Sequence, residues 1–189
     1  MEWNLAADCF IEALASSNPT PGGGAGAAMA GAMGCALALM AIETTLKQKS
    51  VLPQVQTLLT DPYKRLHTLK TELKAYIQKD ADAYHAYLAA KKLPKEDLNR
   101  PHVLQEALWL AASVPADTAT AAVHGLLETN KIKDNIAPVI KSDVLCAQHL
   151  LKASIRCAVE NMRANLVYIT SEERRKKLEE QIVLLLESC

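Results

Sequence analysis

Asp80 is the residue with the clearest capacity for chemistry. With Leu73 as reference and about 100° per residue along a helix, Ile77, Asp80 and Tyr84 fall within about 40° of it, whereas Asp82 lies roughly opposite. The spacing therefore sets the Asp80 carboxyl on an apolar face. A carboxylate there costs on the order of several kcal/mol unless it is paired, hydrogen-bonded or protonated. Three roles are open to it: a structural aspartate satisfied by a helix N-terminus, one half of a buried ion pair, or an acid/base group that also attracts a cation. Asp82 reads as a solvated side chain.

A second feature is the segment Pro19-Thr20-Pro21-Gly22-Gly23-Gly24, which opens onto the charge-free run Ala25 to Ile42. Each proline fixes its own φ and pushes the residue before it out of the α region. Each glycine can take positive φ and lets another group approach its backbone. A helix is expected where the glycines stop. Its first amides lack intrahelical acceptors and its dipole end is positive, so a carboxylate, phosphate or polarised carbonyl can dock there. The same residues also suit a plain turn into a helix. No Lys-Ser/Thr follows the glycines and no strand precedes them, which excludes a Walker-type phosphate loop and a dinucleotide fingerprint.

Two amides come next. On a helix opened by Ser142, the residues Ala147, Leu151, Ala158, Asn161 and Met162 share a face, and Asn165 lies one turn beyond Asn161 at its edge. Amides on an apolar stripe need partners, either a neighbouring helix or the edge of a heterocycle. None of the five histidines forms a metal-ligand spacing, so no metal site is expected. Ser16 and Ser17 lack a nucleophile elbow. Cys9, Cys35, Cys146, Cys157 and Cys189 show neither CxxC spacing nor a paired framework, which suits reduced thiols in the cytoplasm.

These residues must be held by helices. The periodicity predicts helices over Trp3 to Ser16, over Ala25 to Ile42, and over Leu58 to Lys91 with an interruption at Pro62, before a stop at Pro94. Further helices are expected over Pro101 to Ser113, Pro115 to Thr129, Ser142 to about Asn165, and from Ser171 onward, with Ser142 and Ser171 as caps. In the last, Leu178, Ile182, Leu185 and Leu186 line one face, and Arg174 to Lys177 reads as a solvated charge run. Small residues at Gly26, Ala30 and Gly34, and at Ala27 and Gly31, recur every four positions. Neighbouring backbones can then approach closely, so Ala25 to Ile42 is expected to be a central helix buried all round rather than a membrane span. The expected fold is all-α: a single-domain helical bundle over residues 1–189 around that Gly/Ala-rich helix.

Composition agrees with this class. The chain has 189 residues, half of them hydrophobic, and a single Phe, so its core is built from small and aliphatic side chains. Twenty-one basic and twenty-one acidic residues cancel, leaving no footprint for nucleic acid and no basic patch for an anionic membrane. A small molecule and a second copy of the chain are the expected partners.

Several of these segments, taken in order, resemble one family. Leu14-Ala15-Ser16-Ser17-Asn18 with the proline-glycine segment, Ala30-Gly31-Ala32-Met33-Gly34, Asp80-Ala81-Asp82-Ala83-Tyr84, Leu93-Pro94-Lys95, Ser113-Val114-Pro115, Ser142-Asp143 and Asn161-Met162-Arg163-Ala164-Asn165-Leu166 are together similar to the formiminotransferase-cyclodeaminase C-terminal domain family. The similarity runs from about Cys9 to Thr170. It implies an all-α enzyme, usually a homodimer, acting on a tetrahydrofolate derivative without metal or a permanently bound cofactor. It further implies Asp80 as the catalytic residue and Pro21, Gly22, Gly23, Gly24, Ser142, Asp143, Asn161 and Asn165 as substrate-binding residues. The implied reaction is hydrolysis of 5,10-methenyltetrahydrofolate to 10-formyltetrahydrofolate. The alternatives are ammonia-releasing ring closure of a formimino derivative and a non-catalytic folate-binding or scaffold dimer. The chain departs from the family pattern at Ala25, Glu43-Thr44-Thr45, Lys47-Gln48-Lys49 and Ile136 to Val139, and Glu43 is expected either to close the cleft by pairing with Lys47 or Lys49 or to turn into it.

Overall fold

A computed structural model describes residues 2–189, and its regular structure is helical throughout. The helices are α1 (Trp3–Ala15), α2 (Gly23–Leu46), α3 (Pro53–Lys92), α4 (Arg100–Ile132), α5 (Lys141–Leu166) and α6 (Glu172–Glu187), with one 3-10 turn, Pro138–Ile140, before α5. Two expected breaks are absent. Pro62 and Pro115 lie inside continuous helices.

Close contacts fix the direction of each helix against its neighbours. Along α2, Gly24 meets Asp80, Gly31 meets Leu73 and Glu43 meets Tyr63, so α3 runs antiparallel to it. Gly23 meets Asn161 and Gly34 meets Leu151, so α5 is antiparallel to α2 as well. Arg65 reaches Glu128 from α3 to α4, and Asn165 reaches Ala111 from α5 to α4. The result is an up-down-up-down bundle of α2, α3, α4 and α5, with α6 laid across α4 and α5. The diagonal pair α2 and α4 also touch, because Gly125 comes up against the Cys35 sulfur.

Small residues permit this close approach. A Cβ on Gly34 would sit 2.8 Å from Leu151 Cγ and 2.9 Å from the Ala147 carbonyl oxygen, and one on Gly31 would sit 2.8 Å from Ser154 Oγ. With the backbones so close, the buried Ser154 hydroxyl donates across the interface to the Ala27 carbonyl at 2.7 Å. One hydrophobic cluster takes residues from every helix of α2 to α6, including Leu59, Leu66 and Leu73 on α3 and Leu151, Ile155 and Met162 on α5.

The central helix is not buried all round. Its inner faces pack on α3, α4 and α5, but Met33 is 48% exposed, Met40 is 40% exposed and Ala36 is exposed, forming an outer apolar stripe. Nothing within 4 Å would meet a Cβ on Gly26, beside the same stripe. α2 is long and apolar enough to cross a membrane, yet most of its apolar surface is covered by the other helices. α1 makes hardly any contact with the bundle and presents Leu5 and Ile11 to its surroundings.

Further corrections concern helix ends. Ser171 caps α6 as expected, accepting from the Arg174 amide at 3.3 Å, but α5 begins at Lys141 with Ile140 at the cap position, so Ser142 is no cap. Arg174 is also more than a solvated charge. It pairs with Glu106 at 2.8 Å and stacks over the Trp109 ring, tying α6 to α4.

Candidate active site

The antiparallel arrangement gathers the start of α2, the later part of α3, the early part of α4 and the end of α5 at one end of the bundle. A cavity of about 400 Å³ opens there, lined among others by Gly22, Gly23, Gly24, Asp80, Asn161 and Asn165. Residues separated by more than a hundred positions in the chain are thereby brought to one place.

The three glycines serve close approach rather than unusual backbone angles. Gly22 is the extended N-cap of α2, Gly23 and Gly24 form its first turn, and no glycine among the described residues has positive φ. A Cβ on Gly24 would lie 2.7 Å from the Asp80 Cγ, so only glycine leaves space for that carboxyl. A Cβ on Gly23 would lie 3.2 Å from Asn161 Nδ2. The helix begins within the glycines, two residues earlier than expected. The preceding Thr20-Pro21 peptide is cis, and Pro19 and Thr20 form the rim of the cavity, while Pro21 is half-buried beside it.

Asp80 enters this space from α3. Its Oδ2 accepts from the Ala25 amide at 3.0 Å, which is the helix N-terminus role foreseen as one of its three readings. No basic side chain pairs with it among the described residues. Burial pushes its carboxyl above the ordinary carboxylate value, and the Ala25 amide pulls it only part of the way back. One oxygen is thus held by the backbone of α2. The amides of Gly23 and Gly24 point from the same helix end without intrahelical acceptors.

The two asparagines divide their work. Asn165 donates through Nδ2 to the Ala111 carbonyl at 2.9 Å and to the Asn161 carbonyl at 3.0 Å. Ala111 lies four residues before Pro115, whose missing N–H leaves that carbonyl without its helical partner. Asn165 supplies the donor that this carbonyl lacks. Asn161 donates to the Cys157 carbonyl of its own helix at 2.8 Å and lines the cavity beside Gly23.

Three tyrosines were not anticipated as site residues. Tyr84, Tyr87 and Tyr168 line the cavity, with the Tyr84 and Tyr87 rings 6.3 Å apart. Tyr84 and Tyr87 follow Asp80 at helical spacing, a signal that the sequence carried. Tyr168 lies just beyond α5, and no periodicity marks it.

Ser142 and Asp143 are not at this site. They open α5, whereas Asn161 lies roughly 28 Å further along the same helix at about 1.5 Å per residue. Ser142 is exposed, and its hydroxyl has only Asp143 Oδ2 nearby, at 3.4 Å. Glu43 is equally remote, about 30 Å from Gly23 along α2. It neither pairs with a lysine nor closes the cleft, and instead accepts from the Tyr63 hydroxyl at 2.9 Å.

The chain is 34% identical to a methenyltetrahydrofolate cyclohydrolase of Methylorubrum extorquens, over 95% of this chain and 89% of that protein. It is 30% identical to the formimidoyltransferase-cyclodeaminase of Gallus gallus and 32% identical to that of Sus scrofa, in each case over 95% of this chain. The match spans only 34% of the length of each of those two animal proteins. Among solved structures, a formiminotetrahydrofolate cyclodeaminase from Thermotoga maritima superposes with a TM-score of 0.85 at 28% identity, covering all of this chain and 89% of the other. The formiminotransferase-cyclodeaminase sequence profile matches residues 6–183, so that the helical bundle, the glycine-rich start of α2 and the aspartate held against it are those of a chain that belongs to the formiminotransferase-cyclodeaminase family.

Proposed function

We propose that this protein is a methenyltetrahydrofolate cyclohydrolase, with Asp80 as its catalytic residue. One observation carries the assignment: a desolvated carboxyl, unpaired by any basic side chain among the described residues, is fixed by the Ala25 amide inside a tyrosine-walled cavity. The 5,10-methenyl bridge is an amidinium-like cation, and a poorly hydrated carboxylate attracts it more strongly than one in bulk water. Asp80 takes a proton from water as its oxygen bonds to the methenyl carbon. The new hydroxyl then gives up its proton to solvent to become the formyl oxygen as the bond from that carbon to N5 breaks, N5 takes up the proton held by Asp80, and the formyl group stays on N10. The reaction asks of the protein a proton acceptor, a positioned cation and a wall that orients the ring.

The other cavity groups fit the remaining needs. The Gly23 and Gly24 amides would hold a polar edge of the pterin or a carboxylate of the glutamate tail, and the Tyr84 and Tyr87 rings would flank the heterocycle. Asn161 turns its amide toward the same space. Asn165 acts as a positioning residue through the α4 backbone. Ser142 and Asp143 have no place in this part of the site.

The relative from Methylorubrum extorquens, similar over nearly its whole length, favours water attack as the first reading. The likeness to cyclodeaminases supports a second reading, in which N10 attacks the formimino carbon and ammonia leaves. We further propose that the protein works as a cytoplasmic homodimer. The exposed Met33 and Met40 stripe and the apolar surface of α1 support the dimer, and five free cysteines suit a reducing compartment. Purified protein incubated separately with 5,10-methenyltetrahydrofolate and with 5-formiminotetrahydrofolate, each followed by absorbance, tests the assignment. Faster loss of the methenyl chromophore is expected with the first. Its formation from the second alone would select the cyclodeaminase, and inertness toward both would leave a folate-binding or scaffold protein.

A further inference from the structure

The connection between α5 and α6, residues 167–171, carries Tyr168 to the wall of the catalytic cavity without belonging to either helix. Tyr168 is 62% exposed, so little packing within the chain holds its ring. Its backbone, in contrast, is pinned. The side-chain amide of Gln105, in the second turn of α4, donates through Nε2 to the Tyr168 carbonyl at 3.2 Å and accepts through Oε1 from the Thr170 amide at 3.0 Å. Between these two bonds Ile169 is buried in the core.

Neither neighbouring helix requires this clamp. The start of α6 is held by Arg174, which pairs with Glu106 and stacks over Trp109, and its body by Leu178, Ile182 and Leu185 in the core. The end of α5 is closed by its own turn, in which the Asn165 and Leu166 carbonyls accept from the Tyr168 and Ile169 amides at 3.1 and 3.2 Å. What Gln105 adds is a fixed backbone under Tyr168. Leu108 and Ala111 follow Gln105 at helical spacing on α4, and both line the cavity. Because α3 and α5 lie on a diagonal of the bundle, Tyr84 and Tyr87 stand on one side of that cavity and Tyr168 on the other. A large ring left in solvent on a backbone fixed beforehand is a contact surface whose ordering cost is met before a ligand arrives.

We propose that Gln105 is a positioning residue for the substrate: it holds Tyr168 as the wall opposite Tyr84 and Tyr87, so that an aromatic ring of the folate is gripped between α3 and the α5–α6 connection. This rests on the folate reading of the cavity but not on which reaction occurs there, since the grip serves water attack and ring closure alike. Gln105 touches no reacting atom. Asp80 and its Ala25 partner belong to α3 and α2, so freeing the connection weakens ring binding and leaves their hydrogen bond in place. A loss of that kind raises KM and keeps kcat.

Titration calorimetry of the intact protein with 5-formyltetrahydrofolate, which carries the folate rings but no methenyl bridge, reads the grip apart from the reaction. Tyr168→Ala and Gln105→Ala are each expected to bind it about 3- to 10-fold more weakly than the wild type, the range of one aromatic contact, while Tyr168→Phe keeps the affinity. Combining Gln105→Ala with Tyr168→Ala should weaken binding no further than Tyr168→Ala alone, because Gln105 acts through that ring. With 5,10-methenyltetrahydrofolate, Gln105→Ala should raise KM by the same factor and hold kcat within about two-fold. Tyr168 is exposed, so its variants should keep the helical circular dichroism spectrum. Unchanged affinity in Gln105→Ala, losses that multiply in the combined variant, or a fall in kcat at constant KM would overturn the inference. The expected pattern of affinities in a protein inert toward 5,10-methenyltetrahydrofolate would support the grip and remove the cyclohydrolase alone, whereas a wild-type protein that does not bind the probe would remove both.

Discussion

A carboxyl pushed upward by burial has opposite consequences for stability and for catalysis, and Asp80 separates the two. Its folded-state value is raised, so folding favours the protonated form. The favourable contribution is therefore complete below the ordinary carboxylate value and is lost as pH rises through the raised one. At neutral pH the ionised group is a burden on the fold. Asp80→Asn removes that burden and keeps an oxygen able to accept from the Ala25 amide. The thermal midpoint of the variant at pH 7 is expected to be unchanged or higher, while turnover of 5,10-methenyltetrahydrofolate falls by about 100-fold or more. A purely structural aspartate would show the reverse, with stability lost and turnover kept. In the wild-type protein the acid limb of kcat/KM should lie above the range of a solvated aspartate, since the base works only when ionised, and a pH profile that stays flat down to that range would remove Asp80 from the reaction.

Among the helices, Pro115 and Asn165 form one unit. Replacing Asn165 by Ala leaves the Ala111 carbonyl unpaired, at an expected cost of about 1–3 kcal/mol in urea unfolding. Replacing Pro115 by Ala restores the helical N–H, so the same Asn165 change should cost about 1 kcal/mol less in that background, and strict additivity would show that the two are independent. This unit also marks where sequence reading stopped. Asn161 and Asn165 stood out because amides on an apolar stripe need partners, but the partner of Asn165 is a carbonyl freed by a proline fifty positions earlier, which local periodicity cannot connect. Asp80 was legible because its own helix carried the conflict between charge and apolar face. The glycines were legible as a special segment, although their reason is the volume of the Asp80 carboxyl rather than positive φ. Helix packing gives a related test. Gly34→Ala presses a methyl group against Leu151 and the Ala147 carbonyl and should cost about 1–3 kcal/mol, whereas Gly26→Ala meets nothing within 4 Å and should stabilise the chain by about 0.4–1 kcal/mol. Similar losses at both sites in thermal unfolding would contradict the packing of α2 on α5.

For the molecule as a whole, the all-helical class followed from the 3.6-residue pattern and a core limited to small and aliphatic side chains, and the up-down-up-down order followed from neither. That order explains why Ser142 and Asp143 stand far from Asn161 although all three lie on α5: one straight helix carries them to opposite ends of the bundle. It also leaves the most apolar helix with an uncovered side, because four helices in a square give α2 two flanks and a diagonal but no outer neighbour. Met33, Ala36 and Met40 then lie in the open, and α1 extends beside the bundle with its own apolar residues uncovered. A second copy of the chain would bury both surfaces by a two-fold contact in which each stripe meets its equivalent. The wild-type protein is therefore expected to sediment as a dimer. Met33→Glu places a charge near the middle of the stripe, at a position open to solvent in the single chain, so the fold should survive while two such charges are forced together or left dry in the pair. Sedimentation velocity should show the variant as a monomer with an unchanged helical spectrum. If Met33→Glu remains dimeric, the stripe is not the contact surface, and a monomeric wild-type protein would remove the homodimer altogether.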